Sequence, residues 1–416
     1  MIGNYTVYHL HSDYSLLDSA TQFEDYVSRA KELGMGAIAS TEHGRPLGWL
    51  HKKMLCDEAG IKFMHGMEIY LTESLDPKVR DNYHTVLIAK NYEGVKELNR
   101  LVWMSSDEEH FYYTPRISFD EFLALSPNIV TTSACLASPL NKLEDDNPYY
   151  EKLVCKYDYL EVQPHDCDEQ RFFNRKLLEL SKKYSKPLIA GTDTHNISKY
   201  KAECRDILMA RKHKTYGDED NYDLTWKTYD ELVDMFKKQG ALDEEIYLQA
   251  IENTNVLAQS VEGFDLDKSI KYPILYGSYE EDVRTFKAVT EEMFSEKVAS
   301  GIIPASQVDG FRAAIDEEMK VFEKLGMCGF MLCMSELVRW CKSNGIAIGT
   351  ARGSVGGSRI AYITDIIDLN PEQWHTVFSR FANEDRKEIG DQWSPYIVIY
   401  SEIAGEPAHA GCRLCG

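Results

Sequence analysis

Residues 5–11 read Y-T-V-Y-H-L-H, an apolar run that ends in two histidines two positions apart. Because side chains alternate along a strand, both imidazoles are expected to point to the same side, where they can bind one ion or two adjacent ions. Residues 191–195, G-T-D-T-H, end a later run in the same way with Asp193 and His195. Together the two segments predict a metal site built at strand ends.

Short apolar runs alternate with amphipathic helical segments from residue 5 to about residue 213, which is typical of βα units around a parallel sheet or barrel. A closed barrel is the simplest architecture for this pattern. Helices are expected over residues 21–33, where Thr21 and Glu24 have capping-box spacing, and over residues 169–184. The apolar runs cover residues 5–11, 37–41, 84–89, 128–135, 159–163 and 187–195.

Residues able to bind metal collect at or near the ends of these runs. In barrels of βα units, the carboxyl ends of the strands meet at one face, so ligands far apart in sequence converge there. Imidazoles, carboxylates and one thiol together favour zinc, manganese or iron over calcium, and such a cluster can activate water for phosphoryl displacement. His84 stands at the start of its run instead of at its end, so its position alone would not select it. The candidates at run ends and in nearby loops are His9, His11, Asp18, Glu42, His43, Glu68, Cys135, Asp193 and His195.

Five motifs follow one another in this part of the chain: H-L-H-S-D-Y-S-L-L-D, S-T-E-H-G, Y-H-T-V-L-I-A-K-N, T-S-A-C-L and G-T-D-T-H. They resemble the successive motifs of the PHP (polymerase and histidinol phosphatase) domain. With F-Y-Y-T-P-R at residues 111–116, the resemblance narrows to the bacterial family-C DNA polymerases, the DNA polymerase III alpha subunits. It implies a PHP-type distorted βα barrel over residues 1–270. It also implies that up to three divalent ions (zinc, manganese or iron) are bound by His9, His11, Asp18, His43, Glu68, His84, Cys135, Asp193 and His195.

All of these positions hold a residue able to bind metal, although some members of the family have lost ligands. The resemblance therefore implies an active metal-dependent phosphoesterase with DNA as its partner, acting as a 3′ to 5′ exonuclease. Three other functions remain open. They are a stand-alone phosphatase on small phosphate esters, a noncatalytic replisome or DNA-binding module that binds metal only for stability, and one half of a split polymerase.

A second region is expected over residues 271–391. Helices are predicted near residues 282–299, 304–325 and 331–343, followed by a strand over residues 346–348 and the loop G-T-A-R-G-S-V-G-G-S. Backbone amides in such a loop can surround phosphate oxygens. The loop resembles the G-x-G-R-G-S-x-x-G-S motif of the family-C palm, with Thr350-Ala351 where the family usually has Pro-Gly. By this match an α+β palm would bind the nucleotide triphosphate through Arg352, Gly353, Ser354, Gly357 and Ser358.

The family places two catalytic aspartates shortly after this loop, and they hold magnesium ions for nucleotidyl transfer. The first falls on Asp391, but Trp393 occupies the second position, and residues 392–416 form a divergent tail. We therefore expect no DNA synthesis by this chain alone unless a second polymerase fragment completes the palm. The break predicts a truncated family member, of the kind expected in a phage or mobile element, with read-through residues at its end.

Composition limits the class of protein further. At 416 residues and a formal net charge of −21, the chain is not expected to coat nucleic acid nonspecifically, because that needs clustered Lys and Arg. No stretch approaches the roughly 20 uncharged apolar residues of a membrane span. The cysteines also lack the spacing of a disulfide framework. These features predict a cytoplasmic protein with no membrane partner.

Overall fold

The computed structural model describes residues 4–211, 222–266, 272–351 and 353–383. The chain divides into two compact units, Met1–Leu266 and Asp267–Gly416. The domain boundary predicted at residue 270 stays a prediction, because residues 267–271 lie outside the described ranges. Within those ranges, no helix combines the length and the apolar character that crossing a bilayer requires.

The first unit alternates strands with helices, as the sequence pattern predicts. Its strands are β1 (Ala37–Ser40), β2 (Lys62–Thr72), β3 (Tyr83–Ala89), β4 (Arg116–Ser118), β5 (Ile129–Thr132), β6 (Leu160–Val162) and β7 (Leu188–Ala190). Its helices are α1 (Phe23–Glu32), α2 (Trp49–Ala59), α3 (Tyr92–Met104), α4 (Phe119–Leu123), α5 (Pro139–Lys142), α6 (Tyr150–Lys156), α7 (Asp168–Tyr184), α8 (Lys199–Arg211), α9 (Tyr229–Gln239) and α10 (Glu244–Ser260).

Backbone hydrogen bonds run through the strands in a closed circuit, which confirms the predicted barrel. β1 pairs with β2 in parallel, β2 with β3 and β3 with β5 in antiparallel fashion, and β6 with β7 in parallel. An isolated bridge between Thr132 and Tyr159 joins β5 to the β6 side, and the extended segment at residues 5–11 joins both ends of the circuit. There, the Ala39 amide donates to Val7, and the Thr194 amide donates to His9. The antiparallel strands and irregular segments distort the barrel.

Side chains that alternate along these strands separate into two cores. In β1, Ile38 packs with the residues that face the surrounding helices, whereas Ala37 and Ala39 belong to a second cluster. Leu257 of α10 packs in the second cluster with residues from most of the strands. This alternation identifies the second cluster as the barrel interior.

Two local predictions in the first unit are wrong. Gln22, not Thr21, is the N-cap of α1, and no side chain caps that helix. The Thr21 hydroxyl instead accepts a hydrogen bond from the Ile197 amide. Residues 5–11 form an extended segment with a single bridge at Leu10 rather than a regular strand. The segment nevertheless closes the barrel, because backbone bonds hold it on both sides.

The described part of the second unit is helical. It contains α11 (Tyr279–Ala299), α12 (Val308–Leu325), α13 (Cys328–Ser343) and α14 (Arg359–Ile363), with 3-10 turns at Ala305–Gln307, Gly353–Gly357 and Phe378–Arg380. The strand predicted over residues 346–348 is wrong, since these residues have no regular structure. Its three apolar residues find no partner strand among the described residues of this unit, so the β part of the expected palm is not seen there.

Candidate metal centre

Residues 5–11 and residues 191–195 lie side by side. The His11 amide donates to the Thr194 carbonyl at 2.8 Å, and the Thr194 amide donates to the His9 carbonyl at 3.1 Å. This pairing brings His9 and His11 next to Asp193, whose φ of 44° is uncommon for a residue other than glycine. Strained backbone of this kind tends to occur at functional sites.

Three buried atoms of this group face one another without hydrogen-bond partners. Oδ1 of Asp193 lies 3.3 Å from Nε2 of His9 and 3.4 Å from Nε2 of His11. Each of the three atoms is inaccessible to solvent and unsatisfied. Buried polar atoms are nearly always paired, so three that converge indicate a missing shared partner. Two imidazoles and a carboxylate form a donor set suited to a transition-metal ion.

A second group is centred on Glu68 of β2. Its Oε2 lies 2.7 Å from Nδ1 of His43, and its Oε1 lies 2.9 Å from Nδ1 of His84. The Cys135 sulfur is 3.6 Å from the same His84 nitrogen. Glu68, His84 and Cys135 each offer a ligand atom within 4.8 Å of the others.

The position of His84 has a simple explanation in the strand topology. β3 is antiparallel to β2, and His84 pairs with Tyr70 near the end of β2. The start of an antiparallel strand lies at the same edge as the end of its neighbour. His84 therefore reaches the carboxyl-end face although it stands at the start of its own apolar run.

Asp18 completes the cluster from the loop after the first segment. Its Oδ2 lies 2.9 Å from Nε2 of His43 and 3.4 Å from Nε2 of His195. The Nε of Arg205 on α8 donates to Oδ1 of Asp18 at 2.9 Å, which fixes the carboxylate. The rings of His11 and His195 stack with centroids 4.3 Å apart. All nine residues predicted from the motifs thus meet in one cluster.

Glu161 of β6 supports this cluster and was missed in the sequence. Its Oε1 lies 2.7 Å from Nδ1 of His9, and its Oε2 accepts a hydrogen bond from Thr132. Gly191 gives it room, because a Cβ there would come within 2.0 Å of Glu161 Oε1. Such a carboxylate orients a metal-binding histidine through its other nitrogen. A charged residue inside the buried run at 159–163 was the available signal.

Glu42, next to the candidate ligand His43, has a supporting role instead of facing the cluster. It is buried and ion-paired with Lys52 of α2 at 2.5 Å. Its carboxylate also accepts hydrogen bonds from Ser12 and Ser15. Because the Ser15 hydroxyl lies 2.9 Å from Nδ1 of His11, this network orients that histidine.

The protonation states of His11 and Glu68 suit metal binding, whereas a bound ion would have to displace a proton from His9 and His43, because their neighbouring carboxylates outweigh burial and raise the pKa of each. Burial, together with the neighbouring His43 and His195, lowers the pKa of His11 to about 3, so His11 is neutral at pH 7. Burial alone would raise the pKa of Glu68, but His84 and His43 hold it well below its ordinary value. Burial raises the pKa of the Cys135 thiol well above its ordinary range. A bound ion would displace that proton.

The loop predicted to bind phosphate in the second unit is arranged differently. Gly353 is exposed with φ of 70°, and Ser354 is partly buried. Gly357 is buried, and a Cβ there would lie 2.4 Å from the Val377 carbonyl. Ser358 is also buried, and its hydroxyl donates to Glu318 at 2.7 Å. Arg352 and Asp391 lie outside the described residues, so the nucleotide site remains a prediction.

Comparisons with known proteins agree with both halves of this description. The PHP domain family model matches residues 8–165, and the bacterial DNA polymerase III alpha NTPase domain model matches residues 285–392. The DNA polymerase III subunit alpha of Helicobacter pylori is 29% identical over 93% of this chain and 35% of its own length. That of Aquifex aeolicus is 28% identical over 92% of this chain and 35% of its own length.

The chain thus spans about a third of the length of these curated relatives. Asp193 and His195 lie beyond the residues matched by the PHP model, and the barrel closure brings them to the others. The PHP match and the polymerase relatives support an enzyme of the metal-dependent phosphoesterase fold. The chain is therefore a relative of the bacterial DNA polymerase III alpha subunits that contains a PHP domain followed by a part of their NTPase domain.

Proposed function

We propose that the first unit is an active metal-dependent phosphoesterase that removes nucleotides from the 3′ end of DNA. The observation that carries this proposal is the convergence of His9 Nε2, His11 Nε2 and Asp193 Oδ1, three buried atoms without partners. A scaffold that needed no metal would be expected to pair or replace such atoms, since each costs about 1–3 kcal/mol when left unsatisfied.

The donor set favours zinc, manganese or iron. His9, His11 and Asp193 form one group able to hold an ion, and His11, His43 and His195 form another. Glu68, His84 and Cys135 form the third, and the thiol makes a hard ion such as calcium a poor fit. Asp18, beside His43 and His195, would supply a further carboxylate. Up to three ions would therefore be held by the nine residues.

Bound ions of this kind supply a Lewis acid that activates water and stabilises an in-line displacement at phosphorus. The protein's own residues keep the ligands in place. Glu161 holds the Nδ1 side of His9, so that Nε2 faces the cluster. Ser15 occupies Nδ1 of His11, and Arg205 fixes one oxygen of Asp18. Each of these contacts leaves the opposite atom of the ligand directed into the cluster.

For the second unit we propose a role in binding a nucleotide triphosphate, with magnesium, once the palm is complete. The match to the polymerase NTPase domain over residues 285–392 supports this role. Among the described residues predicted to bind phosphate, Gly353 is exposed and Ser354 is partly buried, and these two would contact phosphate oxygens. DNA would be the shared partner of both units, in keeping with the polymerase relatives.

The experiment compares the purified chain with a His9→Ala/Asp193→Ala variant on 3′-labelled single-stranded DNA and on a generic phosphate ester, with manganese or zinc added. We expect metal-dependent trimming of DNA that the variant loses together with bound metal. A His51→Ala variant is the matched control, because His51 is exposed and pairs with Glu24. Ester turnover without trimming would favour a phosphatase. Metal binding without any hydrolysis would favour a noncatalytic module.

A further inference from the structure

Residues 111–116, F-Y-Y-T-P-R, place aromatic rings at the surface of the first unit. Phe111 is 43% exposed and Tyr113 is 85% exposed. Large aromatic side chains usually contribute to a core, so two exposed rings on one short segment indicate a surface that binds something. We call residues 111–116 the aromatic segment.

The aromatic segment borders the metal cluster. A Cβ at Gly44, the residue after His43, would come within 2.7 Å of the Pro115 ring. Arg116 pairs in parallel register with Tyr70 of β2. The Tyr70 ring lies 5.1 Å from the His84 ring and 6.5 Å from the His43 ring, between centroids. The aromatic segment is therefore close enough to the cluster to contact a polymer whose end reaches it.

Contacts of Arg116 and Tyr112 hold the aromatic segment in place. The buried Arg116 donates from Nη1 to the Val79 carbonyl at 2.7 Å, and its guanidinium lies 5.3 Å from the Tyr112 ring. The Tyr112 ring in turn meets the Tyr113 ring edge to face at 4.8 Å. Tyr113 has a φ of 59°, an uncommon backbone conformation for this residue. A rigid ring loses little entropy when a flat ligand stacks on it.

A positive charge accompanies the exposed rings. The Arg45 guanidinium lies 5.9 Å from the centre of the Phe111 ring. No carboxylate in the described ranges forms a salt bridge with Arg45, and its Nε is buried without a hydrogen-bond partner. An unpaired guanidinium beside aromatic rings matches the alternation of phosphate and base in a nucleic-acid strand.

We infer that the aromatic segment is the binding surface for single-stranded DNA entering the metal centre. Bases stack on Phe111 and Tyr113, and Arg45 contacts a phosphate between them. Every base has a flat face, so this surface tolerates any sequence, but it needs bases that are not paired in a duplex. The inference rests on the proposed function, since it names the substrate that the metal centre receives.

The test uses a Phe111→Ala/Tyr113→Asn variant of the full chain, because asparagine tolerates the backbone conformation at position 113. Binding of a fluorescent single-stranded oligonucleotide is measured by anisotropy, beside an abasic oligonucleotide of equal length. Hydrolysis of the DNA and of a small phosphate diester is measured in parallel. Phe172→Ala is the matched control, since Phe172 is an exposed aromatic residue on α7.

We expect the variant to bind the normal oligonucleotide roughly 10-fold more weakly or worse, whereas the control binds as the parent chain does. The difference in affinity between the variant and the parent chain should disappear with abasic DNA. In the variant, kcat/KM on DNA should fall relative to kcat/KM on the diester. Unchanged DNA binding in the variant would overturn the inference and leave the exonuclease proposal standing; a protein partner would then be the alternative occupant. Ring-dependent DNA binding without any hydrolysis would support the surface and overturn the exonuclease.

Discussion

In the first unit three predicted ligand atoms face one another without hydrogen-bond partners, whereas in the second unit two of the four described residues that are predicted to bind phosphate are packed into the protein. His9, His11 and Asp193 have free buried atoms. Ser358 instead donates its hydroxyl to Glu318, and Gly357 is pressed against the Val377 carbonyl. Motifs of equal clarity in sequence thus contain residues that are proposed to bind ligands and residues that hold the backbone in place. Unsatisfied buried atoms distinguish the proposed ligands from the residues that hold the backbone in place.

The largest expected effect is the loss of bound metal and hydrolysis in Asp193→Asn. The change keeps the shape of the side chain but removes the charge that faces His9 and His11, so bound metal and hydrolysis should fall by at least about 100-fold. Metal content by mass spectrometry and DNA trimming measure this. Asp57→Asn, at an exposed carboxylate paired with Lys53, is the control. Full metal content in Asp193→Asn would show that the unpaired atoms are not ligands.

Substitution of Glu161, which supports His9, should lower metal binding less than substitution of Asp193. Glu161→Gln keeps the packing around His9 but weakens the charge-assisted contact to its Nδ1, and metal affinity should fall by roughly 10–100-fold. Titration of the metal-free chain with zinc or manganese gives the affinity. Glu169→Gln on α7 is the matched control, because its side chain is largely exposed. An affinity equal to that of the parent chain would mean that His9 needs no such support.

In the second unit, Glu318 should make stability depend on pH. Burial raises the pKa of Glu318 more than the hydrogen bonds from Ser358 and from the Arg359 and Ile360 amides lower it, and the resulting pKa is about 6. A carboxyl group with a raised pKa stabilises the fold below its unfolded pKa, near 4.5, and loses that contribution as pH rises through about 6. The stability of the parent chain minus that of Glu318→Gln should therefore be about 2 kcal/mol greater at pH 4.5 than at pH 7.

Hydrogen exchange at the amides of α12 and α14, compared between the two proteins at each pH, measures this difference. The comparison at equal pH cancels the intrinsic pH dependence of exchange. A difference that does not change between pH 4.5 and pH 7 would contradict the raised pKa of Glu318.

The smallest expected effect is a difference in stability between alanine substitutions at two serines of the loop. Ser358→Ala removes a donor from the buried Glu318 and the cap from α14, and should cost about 1–2 kcal/mol of stability. Ser354→Ala, at the partly exposed position, should change stability by less than about 0.5 kcal/mol. Chemical denaturation monitored by fluorescence measures both. Equal costs at the two positions would remove the distinction between binding and holding residues in this loop.

The barrel and all nine cluster residues could be predicted from the sequence, because they depend on local motifs in a fixed order. The predicted helix over residues 169–184 is confirmed by α7, Asp168–Tyr184. His84 was selected by resemblance alone, and the antiparallel pairing of β2 and β3 supplies its physical reason. Motifs therefore identified which residues meet, and topology explains how.

Contacts between distant segments could not be predicted. Glu161 reaches His9, and Arg205 reaches Asp18, only after the barrel closes. Thr21 has the spacing of a capping box, but its hydroxyl binds the distant Ile197 amide. The run at residues 346–348 is apolar enough for a strand, and a strand forms only where a neighbour supplies hydrogen bonds. In each case the deciding partner lies far away in sequence.

The pairing of the first segment with residues near Thr194 has a consequence for synthesis on the ribosome. His9 and His11 leave the exit tunnel early, but Asp193 and His195 emerge only after most of the first unit. The Lys227 carbonyl, which accepts a hydrogen bond from the Tyr5 hydroxyl, is synthesised later still. During this interval His9 and His11 have no Asp193 or His195 to meet. Closure of the barrel depends on contacts of long sequence separation, which form slowly. We therefore expect metal uptake to be a late step in the maturation of this chain, because the proposed ligands meet only once the barrel has closed.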